Sequence, residues 1–142
     1  MLKIFIDTGA FCAFSDRSDY YHFLAVKQFT DLLQKRTPIV TSNFIIDETY
    51  TWIRYRLGPK PSMEFLKSMH DSRGKGLLEI ITVEHSLEDR AMRLLQKFHD
   101  QNLSYTDATN IAIIQEQHIR TVFTFDKHFL LIKANIIPGV AK

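Results

Sequence analysis

Four acidic residues in this chain stand where a core-forming pattern would place an apolar one. Asp7 ends the apolar run "LKIFI", Glu48 interrupts "FIIDETYTWIRYRL", Asp107 opens "DATNIAII" and Asp126 follows "RTVFTF". A carboxylate at the end of a buried strand is costly unless something cationic meets it. Carboxylates gathered in one place repel and raise one another's pKa, so such a group persists when a divalent cation neutralises it. Ligands that are all oxygen suit Mg2+ or Mn2+. Each acid also has a local reading. Asp7 can open a turn or cap a following helix, Asp107 completes the S-x-x-D capping box of "SYTD", and Asp126 can start a helix at "DKHF". Glu48 lies a full turn past the expected cap and is harder to explain that way.

Periodicity separates Glu48 from its neighbour Asp47. At about 100° per residue, Asp47 falls beside Thr51 and Arg54 on a solvated face suited to surface pairing. Glu48 falls between Tyr55 and Trp52, flanked by Phe44 and Ile45. An acid among aromatics is the costly one, which makes Glu48 the candidate ligand.

The elements that must position these acids follow from the apolar pattern. "LKIFI" reads as a short buried strand of the parallel type, and residues 20–36 carry a helical stripe through Ala25, Phe29, Leu32 and Leu33 that Pro38 ends. "PIVTS" is a second strand, and Ser42 or Asn43 can cap a helix running to Gly58. Pro59 and Pro61 start a further helix that stops at an "RGKG" loop. "LLEIITV" is a third strand, followed by an amphipathic helix over residues 87–98 with Ser86 as its cap. "DATNIAII" is apolar nearly all round and should be a buried helix. "RTVFTFD" gives a fourth strand and "ANIIPG" a short fifth. Alternating strands and helices predict an α/β fold, a three-layer α/β/α sandwich around a central parallel sheet of four to five strands. In such sheets ligands bind beyond the carboxyl ends of the strands, the edge to which all four acids map.

In that order and at those separations, "IFIDTGAF", "TSNFIIDETY", "LSYTDATNIAI" and "TVFTFDKHF" resemble the PIN domain, whose members include VapC-type toxins of toxin–antitoxin pairs. The likeness runs from residue 4 to about residue 130. It implies a PIN-like sandwich and metal-dependent endonucleolytic cleavage of RNA, leaving 5′-phosphate and 3′-hydroxyl ends. It also implies that Asp7, Glu48, Asp107 and Asp126 are the catalytic metal ligands. Mg2+ or Mn2+ held there would lower the pKa of a water and neutralise charge on the reacting phosphate. Thr8 and Thr124 occupy positions suited to orienting a ligand or water, and Asn110 lies one turn after Asp107. The resemblance further implies an antitoxin partner and a homodimer. Two other readings stay open: a housekeeping or structure-specific nuclease without a toxin role, and a non-catalytic PIN-like module that binds RNA or protein.

Candidate phosphate contacts are Arg54, Arg56 and Lys60, together with Arg73 and Lys75 of "RGKG"; Tyr20, Tyr21 and Tyr105 are candidates for stacking on bases. The net charge of +2 carries no argument for nucleic acid by itself. The six histidines show no H-E-x-x-H or Cys/His pattern, so zinc chemistry has no support; His128, near Asp126, reads first as a surface histidine and second as a group that could touch substrate. No Walker or dinucleotide glycine loop is present, and "DTGAF" lacks the second Asp of a phosphoaspartate phosphatase. The single cysteine, Cys12, sits in an apolar stretch, cannot form an internal disulfide and is expected to pack as a small apolar residue. With 142 residues the expectation is one domain over 1–142, cytoplasmic, with no export signal and no membrane span.

Overall fold

Strand β1 (Ile4–Ile6) lies at the centre of the sheet and is completely buried, as its Ile-Phe-Ile sequence requires. In the computed structural model, which describes residues 2–139, five parallel strands run in the order β3-β2-β1-β4-β5. The others are β2 (Ile39–Ser42), β3 (Leu78–Ile81), β4 (Thr121–Phe123) and β5 (Asn135–Ile137). The two edge strands are only partly buried, whereas β2 and β4 are buried throughout.

Between β1 and β2 lie α1 (Thr8–Ser15) and α2 (His22–Gln34), and between β2 and β3 lie α3 (Asn43–Leu57) and α4 (Pro59–Gly74). Both connections step the same way along the sheet, so right-handed crossovers put these four helices on one face. The chain then crosses back from β3 to β4 through α5 (His85–Lys97) and α6 (Tyr105–Glu116), which cover the other face. A 3-10 helix, Lys127–Ile132, joins β4 to β5. The three-layer sandwich and its parallel sheet are as the sequence implies.

Local rules explain most boundaries. Ser42 caps α3 by accepting from Ile45 N at 3.1 Å, and Gly58 ends it at φ 98°, where a side chain would be strained. Pro59 then opens α4 from its first turn, where a missing N–H costs nothing. Helix α6 is buried over Ala108–Ile114, in keeping with its apolar circumference. On the α1–α4 face the core is aromatic: Phe29 lies 5.6 Å from Phe11 and 4.8 Å from Phe123, centroid to centroid.

One helix was missing from the expected elements, and two expectations need correction. Residues 8–15 form a helix that the pattern did not reveal, because Ala10, Phe11, Cys12 and Ala13 are all buried and leave no polar face to set a period. Glu84, not Ser86, occupies the cap position of α5, and it makes no side-chain capping bond. The "RG" of "RGKG" continues α4 to Gly74, and only residues 75–77 turn into β3.

Candidate active site

The order of the sheet reverses beside β1. The chain moves outward through β2 and β3, then returns to add β4 on the other side of β1, and the carboxyl ends of β1 and β4 flank that switch point. Register pairs Ile6 with Phe123, so the next residues, Asp7 and Thr124, leave the sheet side by side. Asp7 N donates to Phe123 O at 3.1 Å, and Thr124 Oγ1 donates to Asp7 Oδ2 at 2.9 Å. The same Thr124 hydroxyl accepts from Asp126 N at 2.9 Å, tying the first acid to the last.

A cleft of about 560 Å³ opens here. Asp7, Asp19, Glu48, Asp107 and Asp126 line it, with Arg56 as the single base among its lining residues. The structure thus brings together the four acids singled out in the sequence. It adds Asp19, whose carboxylate accepts from Tyr21 N at 2.8 Å in the turn before α2. No sequence signal marks Asp19, because an acid in the polar segment "SDRSDYY" is what any surface turn would contain.

The capping and ligand readings prove compatible. Asp7 caps α1 by accepting from Thr8 N at 2.8 Å, and Asp107 forms the capping box with Ser104, accepting from Ser104 N at 3.0 Å. Asp126 heads the 3-10 helix by accepting from His128 N at 2.9 Å. Each bond fixes a carboxylate at a helix start, where the positive end of the dipole favours an anion. It also leaves Asp107 Oδ1 and Asp126 Oδ2 without a protein partner among the described residues.

Glu48 reaches the cleft for a reason other than the expected one. The inner face of α3 is Ile45, Thr49 and Ile53, all buried, whereas Tyr55 is 86% exposed, so Glu48 is not an acid among packed aromatics. It is exposed, and with Trp52 and Arg56 it forms an i, i+4, i+8 stripe along the cleft wall. Asp47 is exposed, as expected, but makes no ion pair among the described residues.

Asp7 is the most perturbed of the acids. Burial pushes its pKa up to about 7; hydrogen bonds from Thr124 and Thr8 pull it down, and the charges of Asp107 and Asp126 push it further up. Cys12 also lines the cleft, and burial, with Asp7 and Glu48 nearby, pushes its thiol up to about 12, which leaves it inert as the sequence suggested. Around Asp7 two buried polar atoms have no partner, Thr8 Oγ1 and Asn110 Oδ1, while Asn110 Nδ2 lies 3.4 Å from Asp7 Oδ1. Five carboxylates against one guanidinium, with free oxygens and orphaned polar atoms at hand, fit a hydrated divalent cation.

The proposed phosphate contacts separate. Arg56 lines the cleft, stacks on Trp52 at 5.0 Å, and donates from Nε to the buried Asp16 at 3.2 Å. Two hydrogen bonds from Ser18 and the Arg56 charge hold the Asp16 carboxyl below the usual range. Arg54 and Lys60 are exposed and outside the cleft lining. Arg73 and Lys75 lie just before β3, at the sheet edge opposite the acids, so they are not contacts of this cleft. Among the aromatics, Tyr21 forms part of the wall, stacked on Phe125 at 4.5 Å; Tyr20 is 88% exposed, and Tyr105 donates to Glu88 at 3.3 Å.

The PIN domain matches residues 4–135, nearly the whole chain. This chain belongs to the PIN domain family. It is 28% identical over 130 residues to the 23S rRNA-specific endonuclease VapC20 of Mycobacterium tuberculosis, covering 89% of this chain and 91% of that protein. Ribonuclease VapC26 of the same organism is 26% identical over 125 residues, 87% of each chain. The crystal structure of VapC20, described as a sarcin-ricin loop cleaving toxin, superposes with a TM-score of 0.79 at 25% identity, covering 92% of this chain and 95% of that chain. A toxin–antitoxin complex from Klebsiella pneumoniae shares the fold at a TM-score of 0.58 and 18% identity, covering 98% and 96% of the two chains.

A second surface lies apart from the acids. An apolar groove of about 400 Å³ runs between α1, α2 and α4, lined by Phe11, Phe14, Phe29, Leu33, Phe65 and Met69 among others. Phe14 and Leu33 are 46% and 54% exposed in it. Among the described residues no helix is long and apolar enough to cross a membrane.

Proposed function

We propose that this chain is a divalent-metal-dependent endoribonuclease of the VapC type, the toxin of a toxin–antitoxin pair acting in the cytoplasm. The observation that carries the proposal is the convergence of Asp7, Glu48, Asp107 and Asp126 on one cleft at the sheet's switch point. Asp7, Asp107 and Glu48 would hold Mg2+ or Mn2+, and Asp126 would complete the set. The ion supplies positive charge at the scissile phosphate and makes a nearby water more acidic. Thr124 fixes Asp7 and Asp126 relative to each other, so the donors need not reorganise when substrate arrives. Arg56, braced by Asp16 and Trp52, presents its remaining guanidinium N–H groups to a backbone phosphate. The wall of Tyr21 and Phe125 offers an apolar flank to a nucleotide. The apolar groove on α1, α2 and α4 is the proposed seat of an antitoxin segment, and a homodimer remains part of the proposal.

VapC20 acts on 23S rRNA, which makes ribosomal RNA the first substrate to test. Purified protein should cut single-stranded RNA or an rRNA stem–loop in Mn2+ or Mg2+ and stop in EDTA. RNA binding with no turnover in either metal would instead identify a non-catalytic module.

A further inference from the structure

His128 is the one histidine among the described residues that faces the acids of the cleft. Its Nδ1 lies 2.9 Å from Asp126 Oδ1 and 3.3 Å from Asp107 Oδ2, yet it is buried and lacks the alignment of a hydrogen bond to any partner. The nitrogen and one oxygen from each acid lie within 4.8 Å of one another. The ring is held there by its own segment: Asp126 accepts from His128 N at 2.9 Å, and the adjacent Phe129 is fully buried and anchors the 3-10 helix. A surface histidine without a task would be free to turn to water; this one is only 31% exposed at its side chain, with its nitrogen against two carboxylates.

We infer that His128 is a nitrogen ligand in the metal site, joining Asp107 and Asp126 and biasing the site toward Mn2+ over Mg2+. The inference rests on the metal-site reading above and adds to it a donor and a selectivity. Imidazole suits the transition ions, whereas Mg2+ keeps to oxygen and water. With the ring proton on Nε2, the Nδ1 lone pair is presented to the two acids. The other role open to the ring is that of a protonated counter-ion to Asp107 and Asp126, which would compete with a cation rather than bind it.

Calorimetric titration of the full-length protein with Mn2+ and with Mg2+ separates these roles. In His128→Ala and His128→Gln, Mn2+ affinity should fall about 10- to 100-fold, the scale of losing a metal-site group, while Mg2+ affinity changes by less than about threefold. Pulsed electron paramagnetic resonance of Mn2+ bound to the unsubstituted protein should show coupling to a directly bound nitrogen that changes on 15N-histidine labelling. Asp107→Asn should weaken both ions. Mn2+ binding without nitrogen coupling, or unchanged or tighter Mn2+ binding in both His128 variants, overturns the inference while leaving the carboxylate site intact. Failure of the unsubstituted protein to bind either ion overturns the site itself.

Discussion

At Asp7 the burial that makes β1 a good core strand works against the carboxylate that the strand delivers. The unfolded chain releases this proton near pH 3.8 and the folded, metal-free protein only near pH 7. Between those values the folded state binds more protons, so its stability should fall as pH rises from about 4 to about 7, by roughly 3–4 kcal/mol at about 1.4 kcal/mol per pKa unit. Thermal melts in EDTA across that range should show the decline, and Asp7→Asn should flatten it and raise Tm at neutral pH. If Asp7 were only a helix cap, the same variant would leave Tm nearly unchanged at every pH, because Asn caps a helix about as well as Asp. Thr124 bridges two acids through one hydroxyl, so Thr124→Val should reduce RNA cleavage about 10- to 100-fold while far-UV circular dichroism stays unchanged.

At the scale of elements, Asp7, Asp107 and Asp126 each owe their position to a helix start, which ties stability to function. Removing the cap of α6 by Ser104→Ala should cost about 1 kcal/mol in denaturant unfolding; the Asp107 carboxylate is held by the Ser104 backbone N–H, which the variant keeps, so divalent-ion affinity should change by less than about threefold. The element pattern also explains what the sequence revealed. Strands such as "IFI" and "TVF" and the buried helix "DATNIAII" were legible because burial on every side leaves an unmistakable apolar run bounded by polar residues. Helix α1 was not, because the same total burial in "AFCA" removes the polar face that distinguishes helix from strand. Glu48 lines the cleft for a reason the angular argument did not contain: the buried face of α3 is Ile45, Thr49 and Ile53, and the acid lies on the stripe beside it. Asp19 and the pairing of Arg56 with Asp16 depend on contacts between distant segments, and nothing local in the sequence announces them.

At the scale of the molecule, the sheet order 3-2-1-4-5 gathers residues 7, 48, 107 and 126 from four separate connections into one cleft. The same topology puts Arg73 and Lys75 at the far edge, so Arg56 is the base expected to hold substrate. Arg56→Ala should raise KM for RNA more than it lowers kcat, whereas Arg73→Ala should leave both within about twofold, since an interaction made equally in ground and transition states appears in KM. The most direct test of the account is single-turnover cleavage of RNA in Mn2+ by the unsubstituted protein and by Asp7→Asn, each shown by melting to be folded. The account predicts cleavage by the first and none detectable by the second. Cleavage at a comparable rate by folded Asp7→Asn protein would contradict it.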